Sequence, residues 1–366
     1  MIELHKYSGA GNTFVVLDGR GEDVSSFRRP EVISDLCKRF GLPEAHGPVR
    51  PFGAIPPTTW APPGKPGTCP TPCESPQGTF ALTGAVTGDH AVRGLPANLT
   101  AKPADGLMIL GADAEADFSM EFYNPDGTGG MMCGNGGRCI VAFADSLGIR
   151  PADGKLYRFR APDGPHEAEI LSRSDGRLTV RLKMIDVHEF YPVLDGWFVN
   201  TGTRHFVKFV PDSDAVDVDS EGRRLRWNEA FAPIGANVNF VSLDPDGALR
   251  VRTFEKGVEG ETLACGTGIT ASALAAYLAS RERGKNIIDL FGHRERGKSF
   301  LGQKKCPRNS FPPFSTIPTH TASLPAPTGN PVSFMIQARQ DRLSVDFIPE
   351  ADSFTEVYLT GPAEEL

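Results

Sequence analysis

Ala264-Cys265-Gly266-Thr267-Gly268 has a second version in the same chain, Met132-Cys133-Gly134-Asn135-Gly136-Gly137. In both, a Cys-Gly-polar-Gly turn feeds an apolar helical pattern, Ile269 to Leu278 in one case and Cys139 to Leu147 in the other. A cysteine at a helix mouth meets the positive end of the dipole and unpaired amide hydrogens, which favours its thiolate. The adjoining glycines let backbone amides approach a bound anion such as a carboxylate. One such motif alone reads equally well as a helix-opening turn with a small apolar cysteine. Two copies in matching surroundings point to paired thiols with a shared task.

Working outward, the surroundings match in order. Phe122 and Phe254 each lie eleven residues before their cysteine (133 minus 122, 265 minus 254). Residues 2–7, the turn Ser8 to Asn12 and Phe14 to Leu17 predict strand, polar turn, strand. Trp197 to Asn200, Thr201 to His205 and Phe206 to Val210 repeat it. Ala104-Asp105-Gly106 precedes the apolar run Leu107 to Leu110 as Gly235-Ala236-Asn237 precedes Val238 to Val241. Phe118 to Tyr123 and Arg250 to Phe254 are the strands before each cysteine, and alternating strands fill 156–184. A duplication follows. The fold class is α/β (α+β), with two pseudo-symmetric domains, each a β-sheet or barrel wrapped round a central helix, and the active site in the cleft between them. The boundaries fall at 1–183 and 184–356, with 357–366 a closing strand returning to the first domain.

Two tracts break the pattern. Residues 42–102 and 284–329 are rich in proline without helical or strand period, and are expected to be disordered insertions at loop positions. Cys69 and Cys73 lie in the first, with no second ligand pair at finger-like spacing, so no metal is expected. Seven irregularly spaced cysteines argue against a disulfide framework. Cys37 sits on the apolar face of a helix ending at Phe40, and Cys139 in the helix after Cys133; both read as core. A net charge of -7 leaves no basic stripe for nucleic acid, and no apolar run is long enough to span a membrane. The chain opens directly on a strand pattern, so a cytoplasmic protein is expected. The glycine-rich stretch 127–137 is no dinucleotide fingerprint, because cysteine and asparagine interrupt it.

Two thiols on opposite sides of one carbon form a base and acid pair that can remove a proton from one face and deliver one to the other. A hydrogen α to a carboxylate is a weak acid, and two helix N-termini on the carboxylate would stabilise the carbanionic transition state. The segments His5 to Asp18, Glu121 to Ala142, Val199 to Val210 and Arg252 to Ala276 resemble the diaminopimelate epimerase family, through MCGNGGRC and ETLACGTG above all. The resemblance implies cofactor-independent interconversion of LL- and meso-diaminopimelate in lysine biosynthesis. It makes Cys133 and Cys265 the acid-base residues, with His205 and Glu255 supporting them. Asn12, Asn124 and Asn237 correspond to its substrate-binding asparagines. Gly134, Asn135, Gly266 and Thr267 correspond to its carboxylate cradles. Lys256 stands where many members carry arginine, keeping the charge but not the bidentate fork. Thr13, Thr203 and Gly106 depart from the family pattern. A small-molecule substrate is the expected partner; a homodimer stays open. The alternatives are a proline racemase-like enzyme and a binding protein of the same fold made inactive by the insertions. A thiol-disulfide oxidoreductase would need a CxxC pair, which the chain lacks.

Overall fold

The computed structural model describes residues 2–40, 47–49, 103–130, 133–174, 176–282 and 329–366. The expectation of disorder in 42–102 and 284–329 therefore lies outside the described residues, as do Cys69 and Cys73, except at Gly47–Val49 and at residue 329. Gly47–Val49 forms a short strand, β3, antiparallel to the first strand of the chain.

That first strand, β1 (Ile2–Gly9), makes a hairpin with β2 (Asn12–Asp18). β2 is apolar without alternation because both its faces are covered. Phe14 and Val16 join the core around the helix that follows Cys133, whereas Val15 and Leu17 pack with Ile33, Leu36 and Phe40 of α1 (Pro30–Phe40). β4 (Gly106–Gly111) adds parallel to β2, β5 (Phe118–Tyr123) antiparallel to β4, and β6 (Leu156–Ala161) parallel to β5. β7 (Gly164–Ser174) and β8 (Arg177–Lys183) continue antiparallel. The last strand, β17 (Phe354–Glu365), pairs through Gly361–Glu364 with β8 and through its end with β1, so eight strands close into a barrel.

The second half repeats these pairings. β9 (Phe190–Val193) flanks β10 (Gly196–Asn200), which makes a hairpin with β11 (Arg204–Phe209). β12 (Asn237–Leu243) is parallel to β11 and antiparallel to β13 (Leu249–Glu255), which carries the short β14 (Gly260–Thr262) on its end. β15 (Val332–Gln337) is parallel to β13, and β16 (Arg342–Pro349) links it to the first half of β17. A bridge from Val187 to Phe354 completes the ring. β17 thus belongs to both halves, and the fold is the expected pair of barrels.

Each barrel is filled by one helix: α2 (Gly134–Ser146) in the first and α4 (Gly266–Glu282) in the second. Both begin directly after their cysteines, earlier than Cys139 and Ile269, where the apolar period starts. Glycine is a poor helix former in isolation. Here strands surround the helix on every side, and Gly134 to Ala144 is buried without a break. Tertiary packing sets these starts, not propensity. The short α3 (Val218–Arg226) takes the place in the second half that α1 has in the first, and was not legible, since only Val218 and Leu225 among its large side chains are apolar. Among the described residues no helix is long and apolar enough to cross a membrane.

Candidate active site

The two helices meet mouth to mouth. A Cβ added to Gly134 would lie 3.7 Å from the Cα of Gly266 and 3.3 Å from Leu359 Cδ2, so glycine at both positions permits the approach. Leu359 of β17 sits beneath both. The carbonyl of Cys133 accepts from Gly137 N at 2.7 Å, and that of Cys265 from Ile269 N at 2.8 Å. Each cysteine is therefore the residue from which its helix departs, and each amide-rich first turn faces the other across the cleft.

Helix position alone predicts depressed thiol pKa values; the assembled site does the reverse. Burial pushes the Cys133 thiol up, and the nearby Glu255 charge adds to this, against the amides of Gly136 and Asn135 and the Arg138 guanidinium. Burial likewise pushes Cys265 up, with Glu255 adding, while the Thr267 hydroxyl and Gly268 amide oppose it. Loss of hydration on burial outweighs the dipole at both sulfurs. Cys265 is only 9% exposed, whereas Cys133 is half-buried. Both shifts favour the neutral thiol over the thiolate. The four described cysteines are free.

His205, on β11, is fully buried. Its Nε2 lies 2.9 Å from Thr203 Oγ1 and 3.0 Å from Thr267 Oγ1, and Thr267 Oγ1 lies 3.4 Å from Cys265 Sγ. Burial, helped by the Lys256 charge, pushes its pKa down to about 3, so the imidazole is neutral at physiological pH. The folded value is below the unfolded one, so the associated stability is complete above about pH 6.5 and is lost as pH falls towards 3. Lowering pH from 7 to 5 should cost the wild type about 2 kcal/mol more than a His205→Asn variant, by urea denaturation. An equal acid loss in both proteins would contradict a buried neutral histidine.

Asn135 joins the halves. It is fully buried, and its Nδ2 donates to Asn12 Oδ1 at 2.6 Å and to the Ala264 carbonyl at 3.2 Å. Its Oδ1 accepts from Arg138 Nη2 at 2.8 Å; Arg138, also fully buried, donates further to the carbonyls of Gly134 and Pro362. Asn237 Oδ1 accepts from Lys256 N at 2.7 Å, and its Nδ2 donates to the Arg204 carbonyl at 3.1 Å, so it clamps the hairpin turn onto the end of β13. The Asn124 amide donates to Thr128 within its own turn. Of the anticipated residues, Cys133, Cys265, Gly134, Gly266, Asn135, Asn12, Thr267 and His205 are directly connected, and Glu255 acts electrostatically on both thiols. Asn237 and Lys256 attach through Thr203 and His205, whereas among the described residues the Asn124 side chain bonds within its own turn and not to either cysteine turn. Gly106 has no room for a side chain, since a Cβ there would lie 2.7 Å from the Tyr123 carbonyl oxygen. Thr13 is held through its backbone N–H, which donates to Asp105.

Arg138, Asn239 and Thr253 take part in this network without having been anticipated. Asn239 is a buried polar residue between the apolar Val238 and Phe240 of β12, and that interruption is the signal that could have marked it; Thr253 lies in the mixed strand β13, where no such signal stands out.

The fold defines a double α/β barrel with a helix in each barrel. It is shared with a phenazine biosynthesis protein of the PhzF family from Bacillus anthracis, at 11% identity and TM-score 0.56, covering 100% of this chain and 97% of that one. A probable proline racemase from Agrobacterium radiobacter K84 shares it at 15% identity and TM-score 0.51, covering 100% and 91%. At these identities the likeness is one of fold. The family model for diaminopimelate epimerase matches residues 197–291. Diaminopimelate epimerase of Chlorobaculum tepidum is 45% identical over 206 residues, which are 55% of this chain and 76% of the relative. That of Gemmatimonas aurantiaca is 41% identical over 278 residues, 74% and 77% of the two chains, and that of Aquifex aeolicus 33% over 298, 78% and 85%. The chain belongs to the diaminopimelate epimerase family.

Proposed function

We propose that this protein epimerises LL-diaminopimelate to meso-diaminopimelate in lysine biosynthesis, with Cys133 and Cys265 as the acid-base pair. The observation that carries the reading is the meeting of the two cysteine-bearing helix mouths at Gly134 and Gly266. A substrate α-carboxylate set there faces amides from two helix N-termini, which stabilise negative charge as the α-proton leaves. The two sulfurs lie near enough that charge on Cys133 pushes the Cys265 thiol up, which disfavours two simultaneous thiolates. One thiol and one thiolate are what inversion requires. Asn12, Asn124, Asn237, Lys256 and Thr267 are proposed as binding residues around the substrate. The halves are taken as 1–183 and 184–356 with 357–366 returning to the first, and the site of action as the cytoplasm.

The test is solvent exchange. In heavy water the purified protein should incorporate deuterium at the α-carbon of LL-diaminopimelate while meso product accumulates. Well-folded protein that exchanges nothing would refute the proposal. An oxidant that joins Cys133 to Cys265 should abolish turnover and a reductant should restore it, because the bridge consumes both acid and base. Full activity with the bridge demonstrated by mass spectrometry would exclude the two-thiol mechanism.

A further inference from the structure

We propose that Asn239 is a positioning residue that fixes the tautomer of His205 and thereby aims the Thr267 hydroxyl at the Cys265 sulfur. Asn239 is fully buried on β12. Its Nδ2 lies 3.3 Å from the Phe206 carbonyl and 3.1 Å from His205 Nδ1, and its Oδ1 lies 2.9 Å from Thr253 Oγ1. A backbone carbonyl can only accept, so the amide must turn its NH2 towards Phe206 and His205 and its oxygen towards the Thr253 hydroxyl. His205 Nδ1 is then the acceptor, and the single ring proton of the neutral imidazole sits on Nε2.

The direction propagates. Nε2–H faces the hydroxyls of Thr203 and Thr267, and Thr203 donates to Thr267 Oγ1 at 3.2 Å. Thr267, already an acceptor from this side, has one hydrogen to give, and Cys265 Sγ at 3.4 Å receives it. The opposite tautomer would make Nε2 an acceptor and draw a threonine hydrogen away from the sulfur. Gly268 fits the same design. A side chain at that position would run into Asn239 Oδ1, so the first turn of α4 is kept bare where Asn239 passes. The chain of bonds supplies the sulfur with a donor that partly offsets its burial.

The inference rests on reading Cys265 as an acid-base thiol, and its tests do not need turnover. Nitrogen NMR of the wild type should find the His205 proton on Nε2, and Asn239→Leu should lose that preference. Iodoacetamide should alkylate Cys265 about tenfold more slowly, relative to Cys133 in the same molecule, in both Asn239→Leu and Thr267→Val, as expected for weakening one hydrogen bond to a charged group. A general loss of packing would move both cysteines together. In Asn239→Leu kcat should fall more than KM changes. A wild-type His205 protonated on Nδ1 overturns the proposal, as does an unchanged Cys265 to Cys133 ratio in Thr267→Val, which keeps the question decidable if Asn239→Leu does not fold. Wild-type protein with the Nε2 tautomer and no α-proton exchange would instead refute the epimerase reading alone.

Discussion

Cys133→Ala and Cys265→Ala should each lose epimerase activity by about 10⁴-fold, the upper range for removing one general acid or base. The two variants should nevertheless differ in what they retain. Each keeps one thiol on one face of the substrate carbon, where it can take a proton and return a solvent deuteron without inversion. One variant should therefore exchange the α-hydrogen of the LL isomer only, and the other that of the meso centre only. Neither should interconvert the two. The scaffold should survive, since Cys133 makes no side-chain capping bond to α2 and alanine replaces a small buried sulfur. Alanine in place of either cysteine should cost no more than about 2 kcal/mol. Chiral chromatography combined with mass spectrometry reads both properties at once. Appreciable epimerisation by either variant would mean that one thiol suffices, and identical exchange preference in both would mean that the sulfurs do not address opposite faces.

Much of this architecture is legible in the sequence because it is local and repeated. The paired cysteine turns, the equal spacing from Phe122 and Phe254, and the apolar run Phe14 to Leu17 all report short-range pattern. The return of 357–366 to the first half is an expectation of the sequence, but the partners of β17 are not local: Ser344–Pro349 pairs with its first half, whereas Val180 and Tyr7, far away in sequence, pair with its second. Nor could the thiol pKa values be read. Helix position is written in the motif, but burial of Cys265 and the Glu255 charge beside it exist only once two barrels have closed. Asn239 and Arg138 escaped for a related reason. A polar residue in a strand or helix ordinarily faces water, and only the assembled interior reveals that these two find every partner inside.

Asn135→Leu should destabilise the fold by about 3 kcal/mol, the range for stranding a buried charged group. Leucine keeps the branching of asparagine with bulkier methyl groups, so no cavity opens and the loss is polar together with some overpacking. Arg138 Nη2 would face the leucine methyls instead of an amide oxygen, in a site without water access. Asn12 Oδ1 and the Ala264 carbonyl would each lose a donor at the same time. These two acceptors lie on opposite sides of the cleft, one in the first hairpin and one in the turn before Cys265, so activity should fall beyond what the stability loss explains. Asn135→Asp separates the effects. A carboxylate there keeps an acceptor for Arg138 and recovers stability through the ion pair, but turns an oxygen towards Asn12 Oδ1 and the Ala264 carbonyl, where a donor is needed. Urea denaturation should rank the proteins wild type, Asn135→Asp, Asn135→Leu, while kcat drops in both variants. A leucine variant within about 1 kcal/mol of wild type would show that Arg138 relies on the Gly134 and Pro362 carbonyls. Asn135 would then be a spectator at the helix mouth, and the two cysteine turns would owe their alignment to the glycine contact and Leu359 alone.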